Sequence, residues 1–130
     1  TSCFLCCREA IKRMPNGGAI VNVSSAASRI GAPGEYIDYA ASKGAMDSLT
    51  KGLSLELAER NIRVNAARPG FIDTEMHADG GEPNRVKRLS PQIPLKRAGT
   101  ATEVANSIAW LLSDEASYVT GTFIDIAGGK

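Results

Sequence analysis

Hydrophobic and polar positions alternate along the chain in two periods, and the switches between them predict its elements. Over residues 2–14, Cys3, Cys7, Ala10, Ile11 and Met14 recur at helical spacing, so a helix there has one apolar face. Pro15-Asn16-Gly17-Gly18 stops it. Ala19 to Val23 is short, rich in β-branched residues and without strong alternation, as in a strand covered on both faces of a parallel sheet. From about Tyr36 to Glu59 the period is again that of a helix, with Met46, Leu49, Leu53 and Leu57 as its apolar stripe. Ala41, Ala45, Ser48 and Gly52 make a second, small-residue face, suited to tight packing on its own sheet or to close approach of another helix. Asn61 is placed for a left-handed stop, and Ile62 to Ala67 reads as a second strand. Strand, long helix and strand together predict a βαβ unit with a right-handed crossover. Thr100-Ala101-Thr102-Glu103 has the form of a capping box before Val104, Ile108, Leu111 and Leu112, a helix running to about Ser113. Thr122 to Ala127 is a third strand.

The connections matter as much as the elements. Residues 26–38 hold Gly31, Pro33 and Gly34 and form a loop at the C-terminal end of the first strand, where ligand chemistry gathers in open α/β sheets. Pro69-Gly70 closes the second strand with a rigid bend and a residue free to take positive φ. That pair is either a plain turn or a flat piece of backbone for a cofactor ring, with the Thr74 hydroxyl in reach of a phosphate or amide. Residues 73–95 carry few apolar side chains and read as a flap across the strand ends. Glu75, Met76 and His77 are its pocket-shaping candidates, and Arg85, Lys87 and Arg88 its solvated basic surface.

A length of 130 residues suits one domain, and a formal charge of +1 advertises no polyanionic partner. The basic cluster has no interleaved aromatics, so no nucleic-acid role is expected. No apolar run approaches the roughly 20 residues that span a bilayer. Cys3, Cys6 and Cys7 crowd the first turns, and the one histidine, His77, is far off in sequence, so free thiols and no metal site are expected. An odd, clustered set fits a reducing, cytoplasmic setting. The chain opens at Thr1 inside a helical pattern, so a fragment is expected.

The chemistry centres on Tyr39-Ala40-Ala41-Ser42-Lys43. Four residues of separation put phenol and ammonium on one helix face. A phenol titrates near ~10, so trading a proton near neutral pH asks for roughly 4 kcal/mol of help. One cation about 4 Å away, at an effective dielectric of about 20, supplies roughly that. A serine hydroxyl from the neighbouring strand end, Ser25 with Ser24 as its rival, could hold a carbonyl or alcohol oxygen beside the phenol. The pair alone is a weak signal, since any helix can carry it as an exposed aromatic beside a solvated lysine.

The ordered series is far more specific. Ile20-Val21-Asn22-Val23-Ser24-Ser25, the Tyr39-to-Lys43 stretch, Ile62-Arg63-Val64-Asn65, Arg68-Pro69-Gly70 with Thr74, and Tyr118-Val119-Thr120-Gly121 before Asp125-Ile126-Ala127-Gly128-Gly129 run in sequence. The set resembles the C-terminal half of the short-chain dehydrogenases/reductases, of the glucose dehydrogenase and 3-oxoacyl-carrier-protein reductase kind, over essentially all 130 residues. The resemblance implies an α/β fold: the C-terminal half of a doubly wound, Rossmann-like parallel sheet, three strands with flanking helices. It implies residues 1–130 as a single partial domain, with the flap at about 73–95. It gives Ser25 the substrate oxygen to orient, Tyr39 the acid/base role, and Lys43 both the tuning of Tyr39 and a hydrogen bond to the nicotinamide ribose. Pro69, Gly70, Ile72 and Thr74 match the segment lining the nicotinamide. The implied reaction is hydride transfer between NAD or NADP and a small carbonyl or alcohol substrate, in a homo-oligomer, dimer or tetramer.

The chain departs from the family pattern in two respects. The 14 positions from Ser25 to Tyr39 are one more than is usual, which raises Tyr36 as a rival; but Tyr36 has Ala40, not a lysine, four residues on. There is also no Gly-x-x-x-Gly-x-Gly turn, no Asn-Asn-Ala-Gly segment and no residue choosing between NAD and NADP. The first strand is then expected to have an open outer edge, and the 130 residues alone to be inactive. The alternative is a catalytically silent relative that reuses the fold for assembly.

Overall fold

The structure is a computed structural model that describes residues 1–74 and 84–130. Helix α1 (Ser2–Lys12) leads into strand β1 (Gly18–Val23), a short helix α2 (Ala27–Ile30), the long helix α3 (Ile37–Glu56) and strand β2 (Ile62–Pro69). Strand β3 (Ile72–Asp73), helix α4 (Arg85–Leu89), strand β4 (Gly99–Thr100), helix α5 (Ala101–Leu112) and strand β5 (Phe123–Ile126) complete the chain. The main sheet is parallel throughout, in the order β1-β2-β5, so β2 is central and β1 has one unpaired edge among the described residues. A second, two-stranded parallel pairing of β3 with β4 joins Ile72 to Gly99, which the sequence pattern did not predict. Helix α2 likewise interrupts the stretch read as loop, and ends at Gly31 with φ 76°.

Burial follows the sheet order. Ile62 and Val64 of β2 pack with Leu57, at the end of α3, against Ile11, Met14, Ile20 and Leu53. Each buried aliphatic of this set contributes about 1.5–3 kcal/mol. Asn61, at φ 56° and ψ 33°, makes the expected left-handed link from α3 to β2. Two asparagines inside the core have their side-chain amides paired. Asn65 Nδ2 donates to the Val119 carbonyl at 3.0 Å and its Oδ1 accepts from Thr122 N–H at 3.0 Å, tying β2 to the approach to β5. Asn22 does the same for α1, β1 and α3: its Nδ2 donates to Thr50 Oγ1 at 2.9 Å, and its Oδ1 accepts from Cys3 and Cys7. Burial, aided by the nearby Cys3, pushes the Cys7 thiol up to about 11.

Two expectations are corrected here. The small-residue face of α3 does not pack on its own sheet: Ala41, Ala45, Ser48 and Gly52 are exposed, and the buried positions are Ala40, Asp47, Thr50 and Ser54. Gly70, for its part, does not take positive φ. It is glycine because the end of β5 presses on it: a Cβ there would lie 2.7 Å from that of Ala127.

Candidate active site

The C-terminal ends of β1 and β2 open onto a cavity of about 520 Å³ walled by Ser25, Tyr39, Pro69, Gly70 and Phe71, with Arg85 on its far side. Each of these side chains is aimed by local structure. After Val23 the chain keeps to the sheet for one more bond, Ser24 N–H to the Ala67 carbonyl at 2.8 Å, and Ala26 N–H then reaches the Pro69 carbonyl at 2.9 Å. Alternation therefore sends neighbouring serines opposite ways. Ser24 is buried and its hydroxyl meets the Lys43 carbonyl at 3.3 Å, while Ser25 lines the cavity. The Ser25 hydroxyl accepts from Ala27 N–H at 3.1 Å and donates to no described residue, so its proton is available to a ligand oxygen.

Tyr39 and Lys43 lie one turn apart on α3. The ammonium sits 5.5 Å from the centre of the Tyr39 ring, a cation against an aromatic face. It donates to the Val23 carbonyl at 3.1 Å and touches no acid among the described residues, leaving the rest of its donors uncommitted. Tyr39 is 45% exposed, and its hydroxyl has no hydrogen-bond partner among the described residues. Tyr36 is differently occupied: its ring meets Tyr39 edge-on at 6.3 Å, and its hydroxyl accepts from Arg85 Nη1 at 3.1 Å.

Arg85 corrects the reading of the basic cluster as solvated surface. Its side chain is only 19% exposed and lies 3.6 Å from Glu35. Its guanidinium faces the rings of Phe71 and Tyr36 at 5.2 and 5.5 Å. Lys87 and Arg88 are exposed, as expected. Aromatic faces attract a planar cation, and only tertiary folding brings Phe71 to residue 85.

Of the four residues matched to a nicotinamide-lining segment, Pro69 and Gly70 form cavity wall. Ile72 pairs with Gly99 beyond that wall, and Thr74 follows strand β3. Glu75, Met76 and His77 lie outside the described residues. Sequence reasoning missed the support behind the wall, in which Arg68 of β2 pairs with Asp47 of α3 at 2.8 Å and Ser28 of α2 joins at 2.6 Å. The available signal was an acid four residues after Lys43 on the same helix face.

Known proteins are similar to this chain in sequence and fold. The family model for enoyl-(acyl carrier protein) reductase matches residues 1–130. The chain is 69% identical over 135 residues to the uncharacterized oxidoreductase YgfF of Escherichia coli (strain K12), covering all of this chain and 55% of that protein. It is 53% identical over 112 residues to the 3-oxoacyl-[acyl-carrier-protein] reductase FabG of Thermotoga maritima, covering 86% of this chain and 45% of FabG. The structure of ElxO with NADP bound superposes with a TM-score of 0.88 at 34% identity, over 98% of this chain and 52% of ElxO. The chain thus spans about half the length of the relatives it matches. Family model, relatives and shared fold agree that the chain belongs to the short-chain dehydrogenases/reductases.

Proposed function

We propose that this chain carries the proton-transfer half of an NAD(P)-dependent oxidoreductase site acting on a small carbonyl or alcohol. One observation carries the reading: two hydroxyls whose protons are uncommitted among the described residues, Ser25 and Tyr39, line the same cavity, while the Lys43 ammonium, which meets no acid among those residues, backs the second. In the reductive direction a substrate carbonyl oxygen accepts from the Ser25 hydroxyl, which fixes its direction. The Tyr39 hydroxyl gives its proton to that oxygen as negative charge develops there, and Lys43 stabilises the phenolate left behind. Oxidation of the alcohol runs the same transfer backwards.

The cofactor, when bound, exchanges the hydride with the substrate carbon. The residues present fit its nicotinamide end. Lys43 has donors to spare for ribose hydroxyls, and the Pro69-Gly70 backbone lies flush in the wall, pressed against Ala127. Ile72 and Thr74 extend that segment toward the rest of the cofactor. ElxO binds NADP, and both NAD and NADP are open to this chain.

The 130 residues hold no Gly-rich dinucleotide turn, and β1 has an unpaired edge among the described residues, so turnover is assigned to a longer protein containing them and none to these residues alone. The exposed small face of α3 supports contact between copies, which light scattering of that longer protein tests. The catalytic reading is tested by NAD(P)H oxidation over a panel of small ketones and aldehydes, with Tyr39→Phe as control. Equal turnover by that variant removes Tyr39 from its role. A silent relative would turn over none of the panel.

A further inference from the structure

Asp47 follows Lys43 by four residues on α3, the spacing at which opposite charges pair across one helical turn. Here they do not. Lys43 Nζ goes to the Val23 carbonyl at 3.1 Å, and the Asp47 carboxylate is held by two other elements. Arg68, at the end of β2, gives Asp47 Oδ2 two N–H groups, Nε at 3.0 Å and Nη2 at 2.8 Å. The Ser28 hydroxyl of α2 reaches the same oxygen at 2.6 Å. The Phe123 ring lies 4.3 Å from the guanidinium and steadies its plane. With side chains only 18% and 11% exposed, this pair is shielded from the screening that weakens surface contacts.

We infer that Arg68 is a positioning residue that sequesters the Asp47 carboxylate and thereby leaves the Lys43 ammonium free for Tyr39 and the cofactor. The inference rests on the oxidoreductase reading above. A carboxylate left uncompensated one turn from a lysine draws that flexible ammonium across the helix face. Lys43 would then leave both the Val23 carbonyl and the Tyr39 ring. An arginine suits the task because two of its N–H groups converge on Asp47 Oδ2, Oδ1 having no partner among the described residues, and because it does not lose its charge. The same contact ties together the three segments that carry Ser25, Tyr39 with Lys43, and Pro69-Gly70.

The test compares Arg68→Gln, Asp47→Asn, their double variant and Arg68→Lys in the full-length protein carrying this sequence. NAD(P)H affinity is read from nicotinamide fluorescence, kcat and KM from turnover, and folding from the thermal midpoint. Arg68→Gln should weaken cofactor binding by about tenfold or more and lower kcat as well, while the double variant returns both to within about threefold of wild type. Arg68→Lys keeps a cation beside Asp47 and should bind within about threefold of wild type. A contact serving only as an anchor gives the reverse order, with the double variant at least as impaired as either single one. That order, or unaltered cofactor binding by Arg68→Gln, overturns the inference. Should Arg68→Gln fail to fold, a tenfold loss of binding in Arg68→Lys does the same. A wild type that neither binds NAD(P)H nor turns over any carbonyl overturns the oxidoreductase reading instead.

Discussion

Helices α3 and α5 are built on different principles. Helix α5 is specified where it stands. Thr100 Oγ1 accepts from Glu103 N–H at 3.1 Å and Glu103 Oε1 accepts from Thr100 N–H at 3.0 Å, closing a reciprocal cap over its first turn. Helix α3 has no side-chain cap, and three of its four buried residues are polar. Two of those three are met by partners distant in sequence: Asp47 by Ser28 and Arg68, Thr50 by Asn22. A helix that only supports the sheet can rely on local signals. One that presents Tyr39 to a cavity, with Lys43 one turn on against its ring, is fixed by polar contacts from other elements, which specify position as well as burial.

The contrast can be broken in graded steps. The largest effect is expected at the exposed end of α3, where Tyr39→Phe in the full-length protein should lower kcat/KM by about 10²- to 10⁴-fold. The melting temperature should stay where it was, because the hydroxyl has no partner to lose among the described residues. Thr50→Val should act in the opposite way. It strands the Asn22 amide in the core and should lower stability by about 1–3 kcal/mol in urea unfolding, with a smaller effect on turnover per folded molecule. On α5, Thr100→Ala should cost about 1 kcal/mol of stability and leave kcat unaltered. A turnover defect there would erase the distinction between the two helices.

A smaller effect is expected from acid. Hydrogen bonds from Arg97 and from the Thr100 backbone hold the Glu103 carboxyl down to about 2. Its folded-state value is depressed, so its contribution is present above the ordinary carboxylate range and is lost as the pH falls toward about 2. Melting curves of Glu103→Gln and wild type should therefore differ at neutral pH and converge at the acid end. Cys7 gives a comparable check on the core: buried and held as the thiol up to about 11, it should alkylate far more slowly at mildly alkaline pH than exposed Cys6.

Much of this was legible in the residues. The capping box, the left-handed Asn61, the three parallel strands and the ordered series from Ser25 to Gly70 are local or one-dimensional signals, and the fold reproduces the elements they predict. The choice of Ser25 over Ser24 as the cavity-facing serine needed the strand register, since either could follow Val23. Gly70 was expected for its φ and is required for its closeness to Ala127, a contact 57 positions away in the chain. For Arg85, nothing near it in sequence announces the two rings it covers.

By itself, then, the sequence determined the periodicities, the stops and the presence of a phenol and an ammonium one helical turn apart, because those follow from spacing along a single segment. Only the tertiary structure decided which face of α3 is buried and which acid Arg68 holds. It alone left Lys43 without an acid partner among the described residues. Those outcomes depend on where segments remote in the chain meet, and charges or rings that compete for one partner are chosen between only once the distances are set.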